Sequence, residues 1–218
     1  MCGRYASSRR PDDLVSYFEV EEPPEEVLPP SWNVAPTDAV YAVVQKQTRQ
    51  LRVLRWGLVP SWSKDNRGGA RMINARQESV KDKPAFRKAY VTRRCLVPAD
   101  GYYEWKPEGT SKQPYFLVNR DRNPLAMAGL YEHWKSPDGE WLSTCTIITT
   151  SAPDELGEIH DRAPLLVPRD AWGSWLDPSV PDPGDLLIPG TPGVLDAWPV
   201  GVAVGNVRNN GPHLVDPA

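Results

Sequence analysis

The chain has 218 residues, 40% of them hydrophobic and 9% aromatic, and a formal net charge of −3. That length suits one domain or two small ones around a substantial core. No run approaches about 18 apolar residues, and Arg4, Arg9 and Arg10 are followed by no apolar stretch, which excludes a transmembrane helix and a secretory signal and leaves a cytoplasmic protein as the expectation.

In chain order, Asp12 and Asp13 precede LVSYFEV, a short helix with acids in its first turn. The Glu- and Pro-rich EVEEPPEEVLPP at 19–30 predicts an exposed loop. AVYAVVQ (39–45) and LRVLRWGLV (51–59) predict strands around a KQTRQ turn. Residues 63–79 begin as a glycine-bearing loop. KPAFRKAYVTRR (83–94) suits a helix leading into a strand at CLVPADGYYEW (95–105). PYFLVN, LAMAGLYEHW and WLSTCTIITTSA are further strands, RDAWGSWLD is a short helix, and the alternating tail at 200–207 is expected to close a sheet. Twenty-four prolines disfavour long helices. Many short strands with few helices predict one α+β domain over 1–218, with twisted antiparallel, barrel-like sheets.

The mean charge hides two opposed segments. Residues 67–94 hold nine basic side chains against two acidic, a balance of +7, and residues 151–199 hold nine acidic against two basic, −7. The first can meet phosphates or can be a solvated helix face. Cys2, Cys95 and Cys145 are too few and too scattered for a disulfide framework. With no CxxC, no HExxH and three dispersed histidines, no metal site is expected.

MCGRYA raises a chemical question. Initiator methionine is commonly trimmed before a small residue, which would leave Cys2 with an α-amine beside its thiol-bearing carbon. No internal cysteine offers that pair.

The other polar stretches beside apolar runs are INARQE (73–78), GYYEW (101–105), IHDRAP (159–164), WNVAPT (32–37) and VGNVRNNGP (204–212). Each alone is a weak signal. As an ordered set, with MCGR and the WGL-P-W spacing of 56–62, they resemble the SRAP family, the SOS-response-associated peptidase-like or abasic-site processing proteins, from Cys2 to about Pro212. The resemblance implies the SRAP fold and a protein that senses abasic sites in single-stranded DNA. It would crosslink to the lesion covalently through Cys2 after loss of Met1, with associated Schiff-base, lyase-type chemistry. The α-amine would attack the open sugar's aldehyde to give an imine, and the thiol would close on the imine carbon to give a five-membered thiazolidine. An α-amine of pKa about 7.7–8.0 and an ordinary thiol near about 8.5 suit those steps, given a nearby carboxylate and imidazole to move protons. The protein would act as a monomer without a cofactor, nucleoid-associated when bound.

By the same resemblance, Glu104 is the general acid/base, with aromatic neighbours that can raise its pKa by desolvation, His160 assists opening of the sugar ring, and Asn74 positions the N-terminus or polarises the aldehyde. Arg4 and Arg76 read as phosphate clamps, Trp62 and Pro36 as an apolar wall for flanking nucleotides, and Thr150 as a further phosphate donor. Asn33 is expected to brace the fold or the loop that holds Pro36. Trp32, Trp56, Trp105 and Trp198 are expected in the core, and Cys95 and Cys145 as inert buried thiols. Two other readings stay open: an N-terminal-cysteine peptidase, including self-removal of Met1, and a non-catalytic single-strand-binding module.

Overall fold

The computed structural model describes residues 2–152, 154–180, 182–184 and 193–218. In chain order its strands are β1 (Tyr5–Ser7), β2 (Ser31–Val34), β3 (Ala39–Gln45), β4 (Arg49–Trp56), β5 (Asn74–Arg76), β6 (Arg94–Ala99), β7 (Gly101–Glu108), β8 (Ser111–Asn119), β9 (Leu125–Lys135), β10 (Trp141–Ser151), β11 (Arg162–Pro164) and β12 (Leu195–Pro199). The α-helices among the described residues are short: α1 (Pro11–Tyr17), α2 (Arg87–Thr92) and α3 (Trp172–Leu176).

Strands β10, β4, β3, β6 and β9 pair in that order, and β9 pairs back to β10, so the ring closes into a barrel without edges. Strands β5 and β11 attach to β10. A second, antiparallel sheet runs β12-β8-β7-β1-β2. The α+β, barrel-like expectation holds, with one difference: β10 runs parallel to both β4 and β5. The chain between them is long enough for the crossover that a parallel return needs.

Alternation along β3 sorts the core. Val40, Ala42 and Val44 point into the barrel, while Tyr41 and Val43 point out, under Leu14 and Phe18 beside α1 and Trp172 and Trp175 of α3. Tyr5, Tyr102 and Leu117 of the second sheet join the barrel's inner cluster, where Tyr5 meets Trp56 edge-on at 5.1 Å. The other face of that sheet buries Tyr103 and Phe116 beneath Val200, Val204 and Leu214 of the tail, and Trp32, Trp105 and Trp198 flank this patch.

The run 95–105, expected as one strand, is two. Asp100 ends β6 and accepts hydrogen bonds from the Ser8 amide and hydroxyl, and β7 starts in the other sheet. Gly101 takes the corner because a Cβ there would lie 2.5 Å from the Leu117 carbonyl oxygen. Gly101→Ala is therefore expected to cost about 1–3 kcal/mol, measured by urea denaturation. An unchanged midpoint would mean that the two sheets part without strain.

The tail differs from expectation. Residues 200–207 form no strand; the sheet is extended by β12 just upstream, and Val202–Gly205 makes a 3₁₀ turn. The alternating valines mislead because Val200 and Val204 are buried while Val202 is 75% exposed, a spacing of four rather than two. The Glu/Pro loop at 19–30 lies along β4. Glu19 pairs with Arg49 and Arg169, and Glu22 and Glu25 pair with Arg52.

Candidate functional site

Cys2 reaches Glu104 through strand pairing. Strand β1 runs antiparallel to β7, with Tyr5 opposite Tyr102, and the Tyr103 amide donates to the Arg4 carbonyl at 2.9 Å. Extending that ladder toward the N-terminus brings Cys2 and Gly3 alongside Glu104. Tyr102 and Glu104, two apart, share the face toward the barrel, and Tyr103 and Trp105 share the other. Glu104 is 3% exposed. Burial pushes its carboxyl up to about 7, so at neutral pH it can both give and take a proton. Cys2 is fully buried, and burial, with the Glu104 charge adding, pushes its thiol well above the ordinary range. The expectation of an ordinary thiol is thus corrected: this sulfur holds its proton until a neighbouring group removes it.

Asn74 fixes the Cys2 backbone. Strand β5 is pinned on β10, the Ile147 amide and the Trp56 indole N–H both donate to the Ile73 carbonyl, and the next residue projects Asn74 toward Cys2. Its Nδ2 donates to the Cys2 carbonyl oxygen at 2.7 Å. Its Oδ1 is buried with no hydrogen-bond partner among the described residues. Met1 lies outside the described residues.

Ile159 packs in the same apolar cluster as Cys2 and carries the IHDR loop to the site, and Asp161 is near enough to raise Glu104 further. His160 Nδ1 lies 3.0 Å from the Arg162 amide and 2.9 Å from Asp161 Oδ1. One nitrogen cannot accept from the first while donating to the second. Burial lowers the His160 pKa, which favours the neutral ring, and in that form Nδ1 accepts from the Arg162 amide and Nε2 carries the proton. Arg162, which sequence reasoning did not single out, binds both Glu78 oxygens and the Thr149 carbonyl. It ties the IHDR loop to the INARQE segment. The signal was available, as an acid and an arginine of opposite sign recur in the two motifs.

The residues proposed to meet DNA are less uniform. Arg4 Nη1 donates to Asn33 Oδ1 and to the Val204 carbonyl, each at 2.8 Å, and Asn33 Nδ2 donates to the carbonyls of Asn206 and Asn209. Arg4 is thus tied to Asn33 and the tail, and Asn33 braces the fold as expected. Pro36 is half-buried in the β2–β3 turn beside Thr37, whose φ of 78° is costly for a β-branched residue. Trp62 is 66% exposed on the loop between β4 and β5, which the Trp134 indole N–H holds through the Ser63 carbonyl. Arg76 is exposed and Thr150 is buried. The basic segment is not one face. Arg94 is buried and donates to the Tyr90, Val91, Trp175, Asp177 and Val180 carbonyls, Arg93 pairs with Glu132, and Arg67 with Asp65. Cys95 and Cys145 are buried, with thiols raised by that burial. Among the described residues, no three His, Cys, Asp or Glu side chains converge to hold a metal ion.

The family described as SOS response associated peptidase (SRAP) matches residues 1–207. The chain belongs to the SRAP family. This SRAP chain is 39% identical to the Abasic site processing protein YoqW of Bacillus subtilis, over 99% of each chain. It is 30% identical to the Abasic site processing protein YedK of Escherichia coli, over 100% of each. A crystal structure of a Bacteroides thetaiotaomicron protein superposes on the SRAP chain with a TM-score of 0.89 at 25% identity, covering both chains fully.

Proposed function

We propose that this protein processes abasic sites in single-stranded DNA by forming a thiazolidine crosslink through Cys2 after loss of Met1. The observation that carries the proposal is the joint placement of Cys2 against Glu104 and Asn74. Asn74 grips the Cys2 carbonyl at 2.7 Å, and the adjacent buried carboxyl titrates near neutrality. The relatives' names point the same way.

The steps follow from the groups present. Loss of Met1 turns an amide nitrogen into an amine on Cys2, and Asn74 Oδ1 is an acceptor for it. His160 donates from Nε2 toward the ring oxygen of the closed sugar, which opens to the aldehyde. The amine attacks the aldehyde carbon, and Glu104 protonates the departing water to leave an imine. Glu104 then takes the thiol proton as sulfur adds to the imine carbon. A cationic nitrogen on the same residue lowers the thiol's pKa and helps that step. The same carboxyl, protonated, can reverse the ring closure.

Arg76, with the part of Arg4 that Asn33 leaves available, is assigned to phosphates, Trp62 and Pro36 to the flanking bases, and Thr150 to a minor contact. The chain works as one domain, as a monomer and in the cytoplasm; no helix among the described residues is long and apolar enough to cross a membrane. The test is a denaturing gel after incubation with single-stranded DNA with or without one abasic site. A shifted band with the abasic strand alone is expected. Binding with no stable shift would favour a binding module, and peptide cleavage a peptidase.

Salt dependence checks the interface. Affinity for single strands is expected to fall with salt by about 0.7 log units per log unit for each phosphate contacted. Arg76→Ala should flatten that slope by about one contact, and an unchanged slope would return Arg76 to a structural role.

A further inference from the structure

The barrel has two ends. Cys2, Tyr5 and Trp56 fill one. Toward the other the inward-facing positions turn polar. The inward series of β3 continues past Val44 to Lys46, and that of β4 past Leu54 to Arg52. On β9 and β10 the series pass Tyr131 and Cys145 to His133 and Ser143, which sit directly opposite each other. Lys46, Arg52, Tyr131, His133 and Ser143 line a cavity of about 310 Å³ at this mouth.

The lining holds two cations and no acid. Arg52 is held by Glu22 and Glu25 at 3.3 and 3.2 Å and by the Gln50 side-chain oxygen on Nε and Nη2, so two carboxylates outweigh its charge and Lys46 is the lining cation that faces a ligand. Glu132 reaches Arg93 at 2.8 Å on the other side of β9. His133 Nδ1 lies 2.8 Å from the Ser143 hydroxyl. Burial lowers the His133 pKa, and Lys46 and Arg93 lower it further, which favours the neutral ring. One step further along the same face, Lys135 and Trp141 form the next cross-strand pair. The Lys135 ammonium stands 5.7 Å from the Trp141 ring centroid, and the indole is 67% exposed at the rim.

We propose that this mouth is a second ligand site that takes a mononucleotide, its phosphate monoester on Lys46 and Ser143 and its base on Trp141. Charge-assisted donors suit a phosphate, the indole offers a base a flat π-face, and barrel mouths of about 300 Å³ or more commonly hold small ligands. The site lies across the barrel from Cys2 and does not depend on the abasic-site reading. A strand engaged at Cys2 would have to round the barrel to reach it, which favours a free nucleotide over a backbone phosphate.

The test follows the His133 ring signals by NMR in the full chain. Deoxyadenosine monophosphate, inorganic phosphate and an undamaged single-stranded oligonucleotide are titrated separately. The nucleotide is expected to shift the signals saturably and to bind about tenfold more tightly than inorganic phosphate. Lys46→Ala and Ser143→Ala should each weaken it at least about tenfold, and Trp141→Ala should remove its advantage over phosphate. Native crosslinking in all three variants shows that they are folded. No saturable shift, a shift indifferent to the three substitutions, or equal affinity for nucleotide and inorganic phosphate would overturn the proposal. So would a shift produced by the oligonucleotide alone, which would place the mouth on a strand's path.

Discussion

Cys2→Ala, in a chain that begins at residue 2, is expected to lose the heat-stable DNA adduct completely while still forming one that borohydride traps. The α-amine remains, so the imine forms, but no thiol closes the ring. An imine at the sugar's C1′ acidifies the adjacent C2′ proton, and β-elimination then expels the 3′ phosphate. Strand cleavage should therefore rise in the variant as the stable adduct disappears. The buried position of Cys2 sharpens this expectation. A thiol pushed far above its ordinary range by burial is a poor nucleophile on its own, so the amine leads and the sulfur follows with Glu104 as its base. A heat-stable adduct that persists in Cys2→Ala would move the linkage to a lysine.

Glu104→Gln is expected to slow crosslinking and its reversal together, by about 10²-fold or more, while leaving affinity for undamaged single strands nearly unchanged. It should also stabilise the protein, in a pH-dependent way. The Glu104 carboxyl titrates near 7 in the folded chain, against about 4.3 when unfolded. Below the unfolded value both states are protonated and the residue costs nothing. Between about 4.3 and 7 the unfolded chain ionises this carboxyl while the folded chain keeps it protonated, so stability is lost across that window and the loss is complete once pH exceeds 7. Glutamine does not ionise, so the variant should gain about 3 kcal/mol at pH 8, on the order of 5–10 °C in melting temperature, and little at pH 4. Equal melting differences at the two pH values would mean that the buried charge is not what Glu104 carries. Native rates in the variant would reduce it to a structural residue.

The long strands were legible because their period-two patterns are strong; β3, β4, β9 and β10 fall close to where they were expected. The three-residue strands β1, β5 and β11 were not, and these are the strands that carry the site. Each is too short to show a period, and each is held by pairing to a distant strand rather than by its own propensity. Motifs therefore named Cys2, Asn74 and Glu104 without giving the geometry that joins them. The aromatic neighbours of Glu104 pointed to a raised carboxyl, but the raised Cys2 thiol could not be read, since its shift comes from burial that only the packed sheet and barrel create. The charge count over 67–94 overstated the exposed basic face, because Arg94 is spent on buried carbonyls and Arg93 on the buried Glu132.

The mass of the adduct tests the central assignment most directly. The protein is incubated with an oligonucleotide bearing one abasic site, and the product is weighed intact and after trypsin. Imine formation expels one water and sulfur addition expels nothing. The adduct should therefore weigh the chain lacking Met1 plus the oligonucleotide less one water, and the modified tryptic peptide should be Cys2–Arg4 with no titratable thiol. An adduct that retains Met1, or a modified peptide from anywhere else in the chain, would contradict the assignment.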